Sequence, residues 1–539
     1  LLADRGVVAE EAYSQAPWTL PSVVSFLTGR HPGELLGEDV RTYGVPAGVQ
    51  TLAEALAARG YETGGFFANK ALHAGNGFDR GFRTVYTPPA EMDMGNRPDA
   101  AEINAKVLPW LKAHRNRPFF LYVHYIDPHD PYLNPEVVDG RSQFFPEYRG
   151  QLGGDWIQGI HTGAVRLEDP VQDVRQIQAL YDSEVHYVDR FVGELIEALP
   201  PEVLRDTLIV LTADHGEELG DHGGWKHGFT LYEDQIHVPL LARWDGHVPA
   251  GRRLAGTVRL LDLMPTLVAA AGGKASPSWE GVDLMPALTG KAPLPRLHAF
   301  AQHMMVGPLR AAVVLDRKKL ILFNDQEPYA PNNPLEGHLW SYDLQRLERV
   351  ELYDLARDRA ERRSLAAADP GQVARLAPLI HRQLDRQVPG LRLMASGLPG
   401  GSRLEGEIDL DRAPARWRPY FLGEDDRVEM EGNRIRFSLA GEPLAKGILL
   451  EGVLGIAGLT ARLDGAPLPA GRIVLGSGAT YGGGKAAAGT LTAAAWPEPL
   501  RGPGLRVWLS KSAEGAGARR PAATDPETEK RLRALGYIQ

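Results

Sequence analysis

The amino-acid sequence predicts an α/β fold over residues 1–295, followed by a smaller α+β segment and a β-rich segment. Three observations predict it. Strand-type apolar runs alternate with helix-type periodic runs along the first 295 residues, the pattern of a sheet with helices on both faces. Polar clusters follow three of the strand-type runs, and such sheets place their chemistry beyond the carboxyl ends of their strands. The clusters are Asn69-Lys70, the group His124/Asp127/His129/Asp130, and Asp214-His215-Gly216-Glu217. Beyond residue 387 Gly and Pro rise, strands shorten and turns such as Asp464-Gly465 recur, which marks a change of architecture.

The elements follow in chain order. LLADRGVVAEEAY (1–13) has no start methionine and reads as the interior of a fold, so truncation at the N-terminus is expected. In AYSQAPWTLPSVVSFLTGR (12–30), Pro21 and Ser22 suit a helix start and Gly29 suits its end. TLAEALAARG (51–60) reads as an amphipathic helix closed by Gly60, and YETGGFFAN (61–69) as a strand. RPFFLYVHYID (117–127) is a strand-type run ahead of a Pro-rich loop. Residues 171–199 place Ile177, Leu180, Val185, Val188, Val192, Leu195 and Leu199 at helical spacing, which predicts a long amphipathic helix. DTLIVLTADHGEE (206–218) and VPLLARW (238–244) are further strands. In 296–386, KKLILF and RVELYDL read as strands and VARLAPLIHRQLDR as a helix packed on them. Residues 387–515 read as a β-sandwich or similar accessory domain, and 516–539 as a tail and helix with Asp525 as N-cap and Pro526 at the first helical position.

The bulk numbers narrow the function. A chain of 539 residues predicts two or three domains. A net charge of −9 without a basic run excludes a nucleic-acid partner. The absence of cysteine excludes disulfides, zinc-thiolate sites and a cysteine nucleophile. No apolar run is long enough to span a bilayer; the nearest, GILLEGVLGIAGL (447–459), is broken by Glu451.

The clusters carry the chemistry. In TADHGEELGDHGGWKHGFTLYEDQIHVPLL (212–241), Asp214 and His215 offer an oxygen and a nitrogen side by side, which suits a divalent cation. Gly216 lets the backbone turn beside them. His222 and His227 follow in a Gly-rich loop, where a histidine donates a proton or grips an anion. A solvated polar loop is the bland alternative, and the density of His and Asp between two apolar strands argues against it. In VHYIDPHDPY (123–132), Pro128 and Pro131 stiffen the loop around His129, a candidate anion or leaving-group contact, against incidental histidines in a turn. Thr19 lies near the positive end of a helix, where its hydroxyl could attack an ester centre; the alternative is that Thr19 or Ser22 is only a cap. Lys70, beside Asn69, is a candidate contact for an anionic ester, or a solvated lysine.

Taken in series, these motifs resemble the sulfatase family of the alkaline phosphatase superfamily. WTLPSVVSFLTGR is similar to the family's C/S-x-P-S-R nucleophile signature followed by L-T-G-R. DPHDPY, YDSEVHYVDR, LTADHGEELGDHG, LYEDQIHVPLL, ELYDL and RLRALGY follow in family order. The resemblance covers about 1–385 and the last helix. It implies an alkaline-phosphatase-like sheet and metal-dependent hydrolysis of sulfate esters, with relatives acting on phosphate or phosphonate esters. It places Thr19 at the nucleophile position, His129 and His227 in the loops that contact the ester, and Asp214 and His215 at metal ligands. Lys70, Asn69 and His222 are carried as substrate-binding residues. One divalent cation is implied, calcium first, with manganese or zinc compatible with His215. A glycan or small-molecule sulfate or phosphate ester is the implied substrate, and a periplasmic or extracellular location is expected by analogy.

Three departures matter. Family members oxidise Cys or Ser to formylglycine, and Thr19 cannot give that aldehyde. Val23 replaces the signature arginine. The family's first strand, whose acidic end completes the metal site, is expected ahead of Leu1, which leaves at most half a cation site. A phosphodiester or phosphonate monoester hydrolase is therefore the alternative on the same fold, and a catalytically inactive binding protein is the alternative from another class.

Overall fold

A computed structural model describes residues 1–36, 44–89, 92, 97–304, 307–329, 349–387, 390–451, 455–468, 473–475, 480–481 and 504–510, except single positions at 139, 162 and 443. The chain divides into two compact units, one holding Leu1–Val306 and the other Gly307–Tyr329 with Leu347–Arg519.

The strands of the first unit are β1 (Val7–Tyr13), β2 (Glu62–Phe67), β3 (Thr84–Tyr86), β4 (Phe119–His124), β5 (Ile209–Thr212), β6 (Glu218–Leu219), β7 (Trp225–Lys226), β8 (His237–Arg243) and β9 (Arg252–Arg259). One sheet has the order β5-β8-β1-β9, with β8 antiparallel to β5 and β1, and β9 parallel to β1. A second has the order β3-β2-β4, all parallel. β6 and β7 form a short antiparallel pair. Among the described residues, β4 pairs only with β2 and β5 only with β8, so each has an edge without a strand partner. All side chains of β4 and β5 are correspondingly half-buried, whereas β2 is buried throughout.

Side-chain alternation explains how β2 is covered. Phe66 meets Trp110 of the helix Ala100–His114, while Phe67 points the other way onto Tyr122, which meets Phe26 of the helix Thr19–Thr28. Helices therefore lie on both faces. Gly64 is required by that packing, since a Cβ there would stand 2.7 Å from the Trp110 ring.

Most strands expected from sequence are present, with differences that have physical reasons. Residues 7–13 are a strand inside the four-stranded sheet. The helix after Thr51 spans Leu52–Ala57 with Ala58 as its C-cap; Gly60 lies two residues further, in a left-handed conformation. Its start is a capping box between Thr51 and Glu54. The long helix spans Pro170–Glu197, but Val185 is 42% exposed while Ser183, Glu184 and Tyr187 are buried. The buried stripe is set by hydrogen bonds to a loop. Ser183 meets Ser142, and Glu184 accepts from the Asn134 amide.

In the second unit the strands Gly307–Leu315, Lys318–Tyr329 and Val350–Asp354 run antiparallel, and the helix Pro370–Asp385 follows. Among the described residues eleven further strands make two sheets that share one core, to which Leu391, Leu393 and Ile448 of one sheet and Leu404, Ile408 and Phe437 of the other contribute. This is a sandwich. No described helix is long and apolar enough to cross a membrane. The helix expected at 525–539 lies outside the described residues.

Candidate active site

The helix Thr19–Thr28 begins at Thr19, two residues earlier than Pro21 suggested, and ends on Gly29 in a left-handed conformation. Neither Thr19 nor Ser22 caps it, because the N-cap position, Trp18, makes no side-chain cap. Both hydroxyls are turned to the loop after β5 instead. Ser22 Oγ donates to the Asp214 carbonyl at 2.6 Å, and Ser14 Oγ donates to Ser22 Oγ at 2.9 Å. Thr19 Oγ1 lies 3.3 Å from His215 Nε2. The 12–30 stretch and the 212–217 loop are thus latched together.

The tautomer of His215 follows from its other contact. Nδ1 lies 2.8 Å from the Gly216 carbonyl, which can only accept, so Nδ1 carries the proton. In the neutral ring Nε2 is then bare and accepts the Thr19 hydroxyl proton. Burial lowers the His215 pKa, which favours the neutral ring. Gly216 is required here by close approach, since a Cβ would stand 2.0 Å from the Asp234 carbonyl oxygen.

Asp214 stands beside His215 and His124, with Oδ2 3.6 Å from His215 Nε2 and 3.9 Å from His124 Nε2. Burial alone pushes its carboxyl up. The imidazoles of His215 and His124 outweigh burial and hold it well below the usual carboxylate range. Oδ2 has no hydrogen-bond partner among the described residues. An anionic oxygen left bare beside a lone-pair nitrogen suits a divalent cation. Asp214 and His215 fit two positions of such a site. Among the described residues no three His, Cys, Asp or Glu side chains are grouped to hold one ion.

Two more histidines complete the cluster. The His227 ring centroid lies 4.2 Å from that of His215 and 4.9 Å from that of His129. His129 Nδ1 lies 2.6 Å from the Asp130 carbonyl, so it too presents a bare Nε2 when neutral. His227 Nδ1 lies 2.9 Å from Glu217 Oε2. Burial pushes His129 down to about 3 and His227 to about 4. Burial, with Asp130 nearby, pushes Glu217 up to about 8. Neutral rings in this setting accept protons first. An anionic ester entering beside them stabilises the protonated form.

Supporting groups fix the loops. Arg97 donates to the carbonyls of His129, Asp130 and Pro131, pinning the loop after β4. Lys226 Nζ lies 3.3 Å from Asp130 Oδ2 and donates to Gln158 Oε1 at 2.6 Å. The β6–β7 pair sets Lys226 opposite Glu218, and His227 follows directly.

The structure therefore brings Thr19, Asp214, His215, His129 and His227 together. The remaining sequence candidates have other contacts. Lys70 donates to the Met92 carbonyl, and Asn69 Oδ1 accepts from the Ala71 amide. His222 stacks on Tyr232 at 3.7 Å and its Nε2 lies 3.9 Å from Asp234. His124, Asp130 and Glu217 lay in the polar clusters of the sequence without being singled out. Lys226 was missed, its only signal being adjacency to His227.

A family model described as Sulfatase matches residues 1–273. Choline-sulfatase of Rhizobium meliloti (strain 1021) is 29% identical over 272 residues, covering 48% of this chain and 48% of that protein. The chain thus spans about half the length of that relative. Human arylsulfatase A is 28% identical over 461 residues, covering 72% of this chain and 83% of that protein. A structure solved in complex with its substrate D-glucosamine-2-N,6-O-disulfate has a TM-score of 0.54 at 20% identity, covering 71% of this chain and 90% of that one. The phosphonate monoester hydrolase of Agrobacterium radiobacter has a TM-score of 0.52 at 20% identity, covering 71% and 90%. At these identities the two structures show a shared fold alone. The matched residues 1–273 carry every histidine and carboxylate of the cluster, and the chain belongs to the sulfatase family of the alkaline phosphatase superfamily.

Proposed function

We propose that the protein hydrolyses sulfate esters, with Thr19 as the nucleophile. The observation that carries this reading is the 3.3 Å approach of Thr19 Oγ1 to the bare Nε2 of His215, with the His227 ring tilted beside His215 and His129 edge-on to His227. Nε2 takes the hydroxyl proton as Oγ1 attacks sulfur in line. Once the anionic ester has raised their proton affinity, His227 or His129 delivers a proton to the leaving oxygen as its bond to sulfur breaks. Water then gives a proton back to that ring and attacks sulfur, the Oγ1–S bond breaks, sulfate leaves and the proton on His215 Nε2 returns to Oγ1. Family membership and the curated sulfatases support the reaction class. We further propose one divalent cation, calcium first, held in part by Asp214 and His215. When bound it supplies a Lewis acid for an ester oxygen. The lone pair of His215 Nε2 serves either the ion or the Thr19 proton, not both at once.

A second reading is favoured by one residue. Thr19 cannot become formylglycine, so an unmodified hydroxyl attacking phosphorus in a phosphodiester or phosphonate monoester fits the same groups. Steady-state turnover of matched aryl sulfates, phosphate diesters and phosphonates, with added calcium and after chelation, separates the readings. Thr19→Ala should lose roughly a thousandfold or more in kcat on whichever ester is preferred. Unchanged turnover in that variant would remove Thr19 from the reaction, and unchanged wild-type turnover after chelation would remove the cation.

A further inference from the structure

The three histidines assigned to the reaction, His129, His215 and His227, are not held alike. His215 is oriented by the Gly216 carbonyl and His129 by the Asp130 carbonyl, both main-chain groups. His227 is oriented through Nδ1 by a side chain, Glu217, at 2.9 Å. Both partners are shut from solvent, with side-chain exposures of 3% for His227 and 5% for Glu217. The second oxygen of Glu217, Oε1, meets no hydrogen-bond partner among the described residues.

The adjacent residue makes the contrast. Glu218 is fully buried and accepts from the His222 and Gly224 amides and from Gln235 Nε2, at 3.2, 2.8 and 3.1 Å. It ties the loop 218–235 together as a fold residue does. Among the described residues the Glu217 side chain hydrogen-bonds only the imidazole of His227. A buried carboxyl with one oxygen unmatched costs stability, so its retention points away from the fold and toward the ring it touches.

We propose that Glu217 is the positioning residue of His227, holding Nδ1 so that Nε2 faces the Thr19–His215 pair. Without it the ring is free to rotate about its own bond and to lie with either nitrogen toward the site. The proposal rests on the assignment of His227 to the reaction proposed above. Glu217 needs no contact with substrate for this role.

The test uses the full chain with Glu217→Ala, Glu217→Gln and, as a fold control, Glu218→Ala. Selective nitrogen-15 labelling of histidine reads the proton held between Glu217 and His227, whether or not the protein turns over an ester. That proton should give a slowly exchanging signal in the wild type, keep it in Glu217→Gln, whose amide oxygen still accepts, and lose it in Glu217→Ala. In turnover, Glu217→Ala should lower kcat about 10–100-fold with KM little changed, and Glu217→Gln should restore kcat to within about threefold. Both variants should match or exceed the wild type in urea stability, whereas Glu218→Ala should fall well below it. A His227 signal that survives Glu217→Ala overturns the proposal. So does a Gln variant that behaves as Ala in both readouts. A wild type inactive on all esters would sink the proposed function, and the nitrogen-15 signal would still decide this point.

Discussion

Removing one hydroxyl from the helix that carries Thr19 tests whether the latch to Asp214 sets the catalytic distance. Ser22 is fully buried, and its Oγ both donates to the Asp214 carbonyl at 2.6 Å and accepts from Ser14 at 2.9 Å. Ser22→Ala leaves that carbonyl without this donor, inside the protein, for a cost of about 1–3 kcal/mol. Thr19 lies on the same first turn, and His215 is the next residue after Asp214, so the loss acts directly on the 3.3 Å approach. A displacement on the order of 1 Å at a reacting pair costs up to about a hundredfold in rate. Ser25→Ala is the control. Its hydroxyl donates to the Ser22 carbonyl at 2.7 Å and to Gln15 at 3.4 Å, and neither contact reaches the loop after β5. Both variants should lose similar stability in urea unfolding. Only Ser22→Ala should lose kcat, by about 10–100-fold, with KM changed much less. Equal kcat in the two variants would refute the reasoning, because stability alone would then explain both.

Two further outcomes follow from burial. His381, on the helix Pro370–Asp385, has neither ring nitrogen hydrogen-bonded among the described residues; burial, with Arg392 beside it, pushes it down to about 3. Below the unfolded pKa of about 6.5 the unfolded chain takes a proton that the folded chain refuses, so stability falls as pH falls, by about 1.4 kcal/mol per pH unit. His381→Leu should therefore remove about 2 kcal/mol of the wild-type loss between pH 6.5 and 5 in urea melts; an identical loss in the variant would contradict this. Gly216→Ala sets a Cβ 2.0 Å from a main-chain oxygen and should cost roughly 3 kcal/mol and most of the activity, and a variant of wild-type stability would show that the two loops separate freely.

Much of the first unit was legible because its core obeys simple periods. β2, β4, β5 and β8 are apolar runs, the first three ending at polar clusters, so pattern alone found them. β1 escaped because Glu10 and Glu11 interrupt its apolar run, although its pairing with β8 and β9 places it inside a sheet. The helix Ala100–His114 contains Pro109, which reads as a breaker in sequence. In the helix Pro170–Glu197 Ile177 and Leu180 are buried as the spacing predicts, but Val185 faces out while Ser183 and Glu184, hydrogen-bonded to a loop, face in. Periodicity finds where apolar surface could be buried. It does not register a polar group that is worth burying because a partner waits for it.

The same limit governs the site. Thr19, His129, Asp214, His215 and His227 were legible as residue types at the ends of predicted elements. Their partners were not, because a partner is defined by distance rather than by type. Glu217 and Glu218 make the case in two adjacent letters. One points to an imidazole ten residues on, and the other accepts from His222, Gly224, Thr230 and Gln235 of the loop beyond it. A strand alternates its side chains, so consecutive residues at a strand edge are delivered to opposite sides whatever their chemistry. The identical pair therefore divides into one group that positions a reacting ring and one that holds the loop bearing it. That division requires Gly216, whose missing Cβ admits the Asp234 carbonyl and sets the path of the chain into both.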